Sequence, residues 1–256
     1  MQRYGVEHKW KKTIRGIRYS FAAFGVLATA LIAAGILSAC SGSVGAAFAA
    51  DGGARVSVSL DMPKELSLRI KKLAGRKAES PLFDLAAIRA SATSRKGISI
   101  IALSSPNPDS VRAEFSVADV SAFAASAKLA DGGVLLVSSQ ADKIEVKLRL
   151  ERGTAQELIA LFPGIDPALL EALSPPAFGE STLTAAEYRE TLSALLGKKN
   201  LPEIEAAAID LRLTAPKPLL ASSGGKQEGT SLVAKLPLID LLVLEKPIEL
   251  SLSWRK

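Results

Sequence analysis

Hydrophobic and polar residues alternate with a period of two over several short segments between residues 56 and 254. Such alternation places one set of side chains on a buried sheet face and the other set in solvent, so it predicts hairpins of antiparallel strands. After Pro63 the alternation continues at Leu66, Leu68 and Ile70 and predicts a further strand, with a short helix from Pro63 as the alternative. The clearest segments are 56–62, 111–117, 144–150, 209–213 and 248–254.

Two segments between the predicted strands have a helical pattern instead. Ser80-Pro81 has the composition of a helix start, with serine at the N-cap and proline at the first helical position. It predicts a helix over about 82–93, and a shorter helix is predicted over about 119–127. Both helices would cover one face of the sheet.

A central helical block is predicted over about residues 154–197. Thr154-Ala-Gln-Glu157 and Thr184-Ala-Ala-Glu187 both fit the capping box, in which threonine and glutamate side chains bond each other's free backbone amides. Pro163-Gly164 ends one predicted helix, a second runs from Asp166-Pro167 to about Leu173, and Gly197 ends the last one. The whole order of elements predicts an α+β fold with mostly antiparallel sheets built from hairpins, helices on one face, and this block in the middle.

The basic character of the chain is confined to its first residues. The 256 residues carry a net charge of +6, and residues 1–39 supply six basic residues against one acidic residue. The other 217 residues carry 26 basic and 25 acidic residues, so they are close to neutral. This balance gives no indication of a nucleic acid partner.

The chain after residue 39 lacks the side chains that many catalytic and metal sites need. The one histidine, His8, precedes this part, and the one cysteine, Cys40, is its first residue. A Ser-His-Asp triad, a Cys-His pair, a His or Cys metal site and a disulfide within the domain are therefore excluded. We predict a non-catalytic protein with no cofactor and no metal, and a hydrolase that uses carboxylates stays as the alternative from another class.

Three further groups of residues are candidates for chemistry, and each has a simpler explanation. Ser222-Ser223 and Lys226 have the residue types of a Ser-Lys pair, but nothing in the sequence fixes the geometry that a lysine base needs. Asp240 interrupts an apolar run and is expected at a helix N-cap or in an exposed turn. Three glycine pairs lack the spacing of phosphate-binding motifs and are expected in turns: 52–53, 132–133 and 224–225.

An uncharged apolar run from Phe21 to Cys40 follows the basic leader and ends in Leu37-Ser38-Ala39-Cys40. A basic segment, an apolar run and small residues at a cleavage point are the features of an export signal. The ending resembles the lipobox of bacterial envelope lipoproteins. The resemblance implies that residues 1–39 are a signal peptide and that a diacylglycerol is attached to the sulfur of Cys40.

The same resemblance divides the rest of the chain. Residues 40–54 are small, carry one charge, and are predicted to form a lipidated flexible tether. Residues 55–256 are predicted to form a single α+β domain. Two other interpretations of the leader stay open: an uncleaved transmembrane helix, since 19 apolar residues would span about 28 Å, and secretory cleavage near Ala47-Phe48-Ala49.

The pattern over about 82–254, including Pro237-Leu-Ile-Asp-Leu-Leu242 and the last strand ending at Trp254, is similar to uncharacterised lipoproteins of spirochaete-type bacteria. This resemblance implies no activity. We predict a lipid-anchored envelope protein, on the outer membrane or the periplasmic face of the inner membrane. It would act through an interaction surface for an envelope protein or through a pocket for an apolar ligand. A carrier of lipid or lipoprotein with an internal cavity is the alternative.

Overall fold

The computed structural model describes residues 42–126, 129–159, 173–179 and 181–256. Within these residues the chain forms an α+β fold with two mostly antiparallel sheets, which confirms the predicted fold class. The strands are β1 (Gly42–Phe48), β2 (Ala54–Asp61), β3 (Ile98–Ser104), β4 (Ser110–Val117), β5 (Leu135–Ser139), β6 (Lys143–Leu150), β7 (Ala208–Thr214), β8 (Leu219–Ser223), β9 (Lys226–Glu228), β10 (Ser231–Pro237) and β11 (Ile248–Arg255). The α-helices are α1 (Lys64–Leu73), α2 (Leu85–Thr93), α3 (Val120–Ser126), α4 (Arg152–Ile159), α5 (Ala185–Leu196), α6 (Leu201–Ala206) and α7 (Leu238–Val243).

The larger sheet has seven strands in the order β3-β4-β2-β1-β7-β10-β9, and the smaller has four in the order β5-β6-β11-β8. The pairs are antiparallel except for β1 and β7, which are parallel. Phe48 from the larger sheet stacks on Trp254 from the smaller, with ring centroids 5.5 Å apart. The two sheets therefore share one hydrophobic core.

Strand β1 lies at the centre of the larger sheet, between β2 and β7. Its alternate residues Val44, Ala46 and Phe48 are buried. The prediction of a flexible tether is therefore wrong for residues 42–54, which form β1, a turn and the start of β2. The small side chains that resemble a linker are needed here for close packing, since a Cβ at Gly45 would lie 2.6 Å from Ser57 Oγ.

Helix α1 replaces the strand that was predicted after Pro63. Leu66 and Ile70 lie four residues apart, so they satisfy helical spacing as well as alternation, and both are buried on the same helix face as Ser67 and Lys71. The strand prediction is wrong, and the alternative of a short helix from Pro63 is correct.

Of the helix starts predicted at Ser80, Thr154 and Thr184, the first two are displaced. The capping box at Thr184 and Glu187 is present, and the backbone amide of Thr184 lowers the pKa of the Glu187 carboxyl. By contrast, α2 has its N-cap at Asp84 rather than at Ser80, with the Ala87 amide donating to its carboxylate. Thr154 lies inside α4 and donates to the carbonyl of Glu151, so no capping box begins there.

The chain crosses from the smaller sheet to the larger at Gly224 and Gly225. Strand β8 pairs with β11 on one side of this corner, and β9 pairs with β10 on the other. Gly224 has φ +81, and a Cβ there would lie 2.0 Å from the carbonyl oxygen of Glu249. The glycine pair predicted to lie in a turn is thus the bend between two short strands, which reach it from both sides.

The central helical block contains α4 and α5 among the residues that the structure describes. The helix boundary at Pro163-Gly164 and most of the helix predicted to end near Leu173 lie outside the described residues. Helix α7, outside this block in sequence, packs against α5 and the 3-10 turn at Pro176–Phe178, and all of its residues are buried except Asp240.

Candidate functional site

One end of the larger sheet is closed by helices, and we call it the Gly42 end because β1 begins there. Strands β4 and β7 also begin at this end, whereas β2 and β10 finish there. Helix α1 follows β2, α6 precedes β7, and α7 follows β10. Cys40 lies outside the described residues, but it is two residues from Gly42, so their Cα atoms are at most about 7.6 Å apart.

Ser67, Lys71 and Asp109 form a buried polar cluster at this end. Lys71 Nζ and Ser67 Oγ each donate to the same oxygen of Asp109 at 2.5 Å, and Lys71 also donates to the carbonyl of Ala78 at 3.1 Å. The side chains of Ser67 and Lys71 are 0% and 2% exposed. A nucleophilic serine has to reach a substrate, so this cluster has a structural role: it attaches α1 to the turn between β3 and β4.

The outer face of α1 carries cations instead. Arg69, Lys72 and Leu73 lie at positions i, i+3 and i+4 of the helix and are exposed, Leu73 by 37%. The 3-10 turn at Lys198–Asn200 is adjacent, since a side chain added at Gly197 would lie 3.8 Å from the Arg69 guanidinium. We call four exposed cations of these two segments the basic surface: Arg69, Lys72, Lys198 and Lys199. Lys64, at the start of α1, is a fifth exposed cation.

No ion pair forms between the basic surface and any carboxylate of the described residues. Glu65 on α1 and Glu203 on α6 are the nearest acids along the chain, and both are exposed. Within α1 and the 198–200 turn the exposed cations therefore outnumber the one exposed acid, Glu65.

An open groove of about 410 Å³ lies between α5 and α6. Arg189 and Glu205 form an ion pair across it at 3.4 Å, and Glu190 and Lys198 also line it. The carrier hypothesis requires an enclosed internal cavity. This groove is open to solvent, so it is not that cavity.

Arg152 joins α4 to other parts of the domain, and Tyr188 makes a buried contact within the helical block; the sequence contains no signal for either contact. Arg152 donates to the carbonyls of Val243 at 2.7 Å, Leu183 at 2.5 Å and Ser181 at 3.4 Å. The hydroxyl of Tyr188, fully buried, donates to the carbonyl of Leu173 at 3.1 Å, and burial raises the pKa of this phenol.

The polar candidates from the sequence are not brought together. Lys226 Nζ binds Glu228 at 3.1 Å, and Ser223 Oγ bonds Ser251 Oγ at 2.8 Å, so no Ser-Lys pair forms. Asp240 is exposed in the first turn of α7, whose N-cap is Pro237. The described part of the chain contains no group of His, Cys, Asp and Glu arranged to hold a metal ion. No helix within the described ranges is both long enough and apolar enough to span a bilayer.

No protein-family model matches this chain, and no curated protein matches it. Among solved structures, the chain is similar to the folded domain of the LppM protein of Mycobacterium tuberculosis, determined by NMR. The two are 12% identical, the match covers 84% of this chain and 88% of the other, and the TM-score is 0.37. A similarity at this level carries no argument about function.

Proposed function

We propose that this chain is a bacterial envelope lipoprotein, held to a membrane by a lipid on Cys40, whose folded domain works as a non-catalytic interaction module. The observation that carries the proposal is the Leu37-Ser38-Ala39-Cys40 sequence at the end of the apolar run. It contains the one cysteine of the chain, and a lone cysteine placed at random would rarely fall there.

The position of β1 supports cleavage before Cys40 over secretory cleavage near Ala47-Phe48-Ala49. The later cut would remove β1 from the centre of the larger sheet and would leave β2 and β7 without a partner on that side. It would also remove Phe48 from its stack on Trp254. Cleavage before Cys40 leaves the whole described domain intact.

The buried contacts support an interaction role over a carboxylate hydrolase. The Ser67, Lys71 and Asp109 cluster is enclosed in the protein. Glu114 on β4 is paired with Arg55 on the neighbouring β2, and Glu228 on β9 is paired with Arg212 on β7. A general acid or base in a hydrolase must instead point into a cleft where it can reach the substrate. Within the described residues, we assign the interaction role to the basic surface.

The test is the intact mass and detergent partitioning of the protein purified from a bacterial host. We expect the wild type to lose residues 1–39, gain acyl mass and enter the detergent phase, because two or more acyl chains bind a membrane stably. Cys40→Ser should show none of these three changes. A wild type that keeps its leader, with both forms in the membrane, would show a transmembrane anchor instead.

A second variant controls for the position of the thiol. Cys40→Ser combined with Ser43→Cys moves the cysteine three residues onto an exposed site of β1 and out of the lipobox. We expect this protein to remain unacylated. Acylation at position 43 would mean that the thiol alone, and not the lipobox, directs the modification.

A further inference from the structure

The lipid site and the basic surface lie at the same end of the domain. Cys40 is two residues from Gly42, and β1 is the central strand of the larger sheet, so a lipid on Cys40 would emerge from the middle of the Gly42 end. Only Ser41 separates Cys40 from the first residue of β1. A lipid on Cys40 would therefore bring the Gly42 end close to the headgroups of the membrane that holds it.

Helix α1 brings its cations to this same end. Its buried face is attached through Ser67 and Lys71 to Asp109, which immediately precedes β4 at the Gly42 end. The opposite face therefore points away from the sheet, and it carries Arg69 and Lys72. The turn with Lys198 and Lys199 continues this face beside Arg69.

The positive charge is local to α1 and the 198–200 turn, because the exposed acids Asp61, Glu203 and Asp240 at the same end lie outside these two segments. At the other end of the larger sheet the exposed residues include Asp51, Asp119, Lys96 and Lys217. The basic surface also contains Leu73, which is 37% exposed and lies on the same helix face. Cations beside an exposed leucine are suited to an interface with anionic headgroups on its outside and acyl chains beneath.

We propose that the basic surface binds the anionic headgroups of the membrane that holds the lipid on Cys40, and that it thereby fixes the orientation of the domain on that membrane. This inference rests on the proposed lipid anchor. It places α1 and the 198–200 turn against the bilayer and leaves the smaller sheet directed away from it.

The experiment uses the processed protein in two kinds of vesicle, one of phosphatidylcholine and one with about a quarter of phosphatidylglycerol added. Lysines are acetylated briefly with acetic anhydride, and the modification at each lysine is read by mass spectrometry. We expect Lys72, Lys198 and Lys199 to react about threefold or more slowly on the anionic vesicles. Lys96 and Lys217 should react equally on both, and about 1 M salt should remove the protection.

Two double variants with the same change of charge make the test specific. Lys198→Glu with Lys199→Glu should remove most of the protection of Lys72 on anionic vesicles. Lys96→Glu with Lys217→Glu, at the far end of the sheet, should leave that protection unchanged. The fluorescence of Trp254, buried between the sheets, reports whether each variant is folded.

The outcomes separate this inference from the proposed function. Acylated protein whose lysines react equally on both vesicles would overturn the inference and leave the lipid anchor standing. Equal protection on both vesicles would also overturn it, because a contact other than the anionic headgroups would then cover the surface. Protein without acyl mass would overturn both proposals.

Discussion

Lys71 and Asp109 form a buried ion pair between elements 38 residues apart in the sequence, with Nζ 2.5 Å from the carboxylate oxygen. The side chains are 2% and 17% exposed. The backbone carbonyl of Asp109 also accepts from the Met62 amide at 3.0 Å. Asp109, in the turn between β3 and β4, thus bonds both to Met62, which follows β2, and to Lys71 in α1.

Asp109→Asn is expected to lower the free energy of unfolding by about 3 kcal/mol, because it leaves the Lys71 ammonium buried without its counter-charge. Urea denaturation of the processed protein measures this loss. Glu114→Gln is the control, since its partner Arg55 is 64% exposed, and it should cost less than about 1 kcal/mol. The double variant Lys71→Met with Asp109→Leu should recover much of the lost free energy of unfolding, because no charge is then left buried. Equal losses for Asp109→Asn and Glu114→Gln would contradict a structural role for the buried pair.

Gly224→Ala is expected to destabilise the domain by about 3 kcal/mol or more, because the added Cβ would overlap the Glu249 carbonyl and the residue has a positive φ. Gly133→Ala is the matched control: Gly133 has φ +70 but open space around its Cβ position. It should cost only about 1 kcal/mol, the backbone strain alone. Thermal unfolding separates the two, and similar losses would mean that the corner between the sheets can relax.

Tyr188 should make the protein less stable at alkaline pH. Burial raises its pKa above the ordinary value of about 10, so the folded state holds the phenol proton more tightly than the unfolded state does. The contribution of this group to stability is therefore fully present below pH 10 and is lost as the pH rises above that value. In Tyr188→Phe the decline of stability between about pH 9 and pH 11 should be smaller.

The same residue offers a direct spectroscopic check. The other two tyrosines, Tyr4 and Tyr19, lie in the leader, so Tyr188 is the one tyrosine after residue 39. Absorbance of the phenolate in the processed protein should therefore appear only as the domain unfolds. Ionisation of the folded protein near pH 10 would contradict the burial of this side chain.

Hydrogen exchange should distinguish a central strand from a tether at residues 42–48. The amides of Val44 and Ala46 are expected to exchange as slowly as those of β7, because both strands open only when the sheet does. Phe48→Ala should cost about 3 kcal/mol and should speed exchange in both strands together, because it removes the aromatic packing on Trp254. Exchange of the β1 amides within seconds would instead support the prediction that these residues form a flexible tether.

The sequence predicted the strands well where one face is buried and the other is exposed. Strands β4, β6 and β7 follow the period-two pattern closely, because their alternate side chains have contrasting environments. The pattern failed at Leu66 and Ile70, which fit both periods, and in β1, where glycine, alanine and serine hide the alternation. Small residues are typical of linkers and of tightly packed strands alike, so composition does not separate the two.

The candidate site was only partly accessible from the sequence. Cys40 could be named because a lipobox is a contiguous motif beside an apolar run. The basic surface could not, since Arg69 and Lys199 are 130 residues apart and meet only when α1 packs beside the end of α5. The buried partners of Lys71 and Arg152 were missed for the same reason.

The sequence by itself determined the class of fold, most of the strands, the lack of histidine and thiol chemistry after Cys40, and the motif for a lipid anchor. These properties depend on residue types and on spacings between near neighbours. Only the tertiary structure decided that β1 pairs with β7, where Gly42 lies opposite Ile209, and that the 198–200 turn lies beside Arg69 of α1. Contacts between distant segments depend on how whole elements pack, and no local pattern in the chain encodes them.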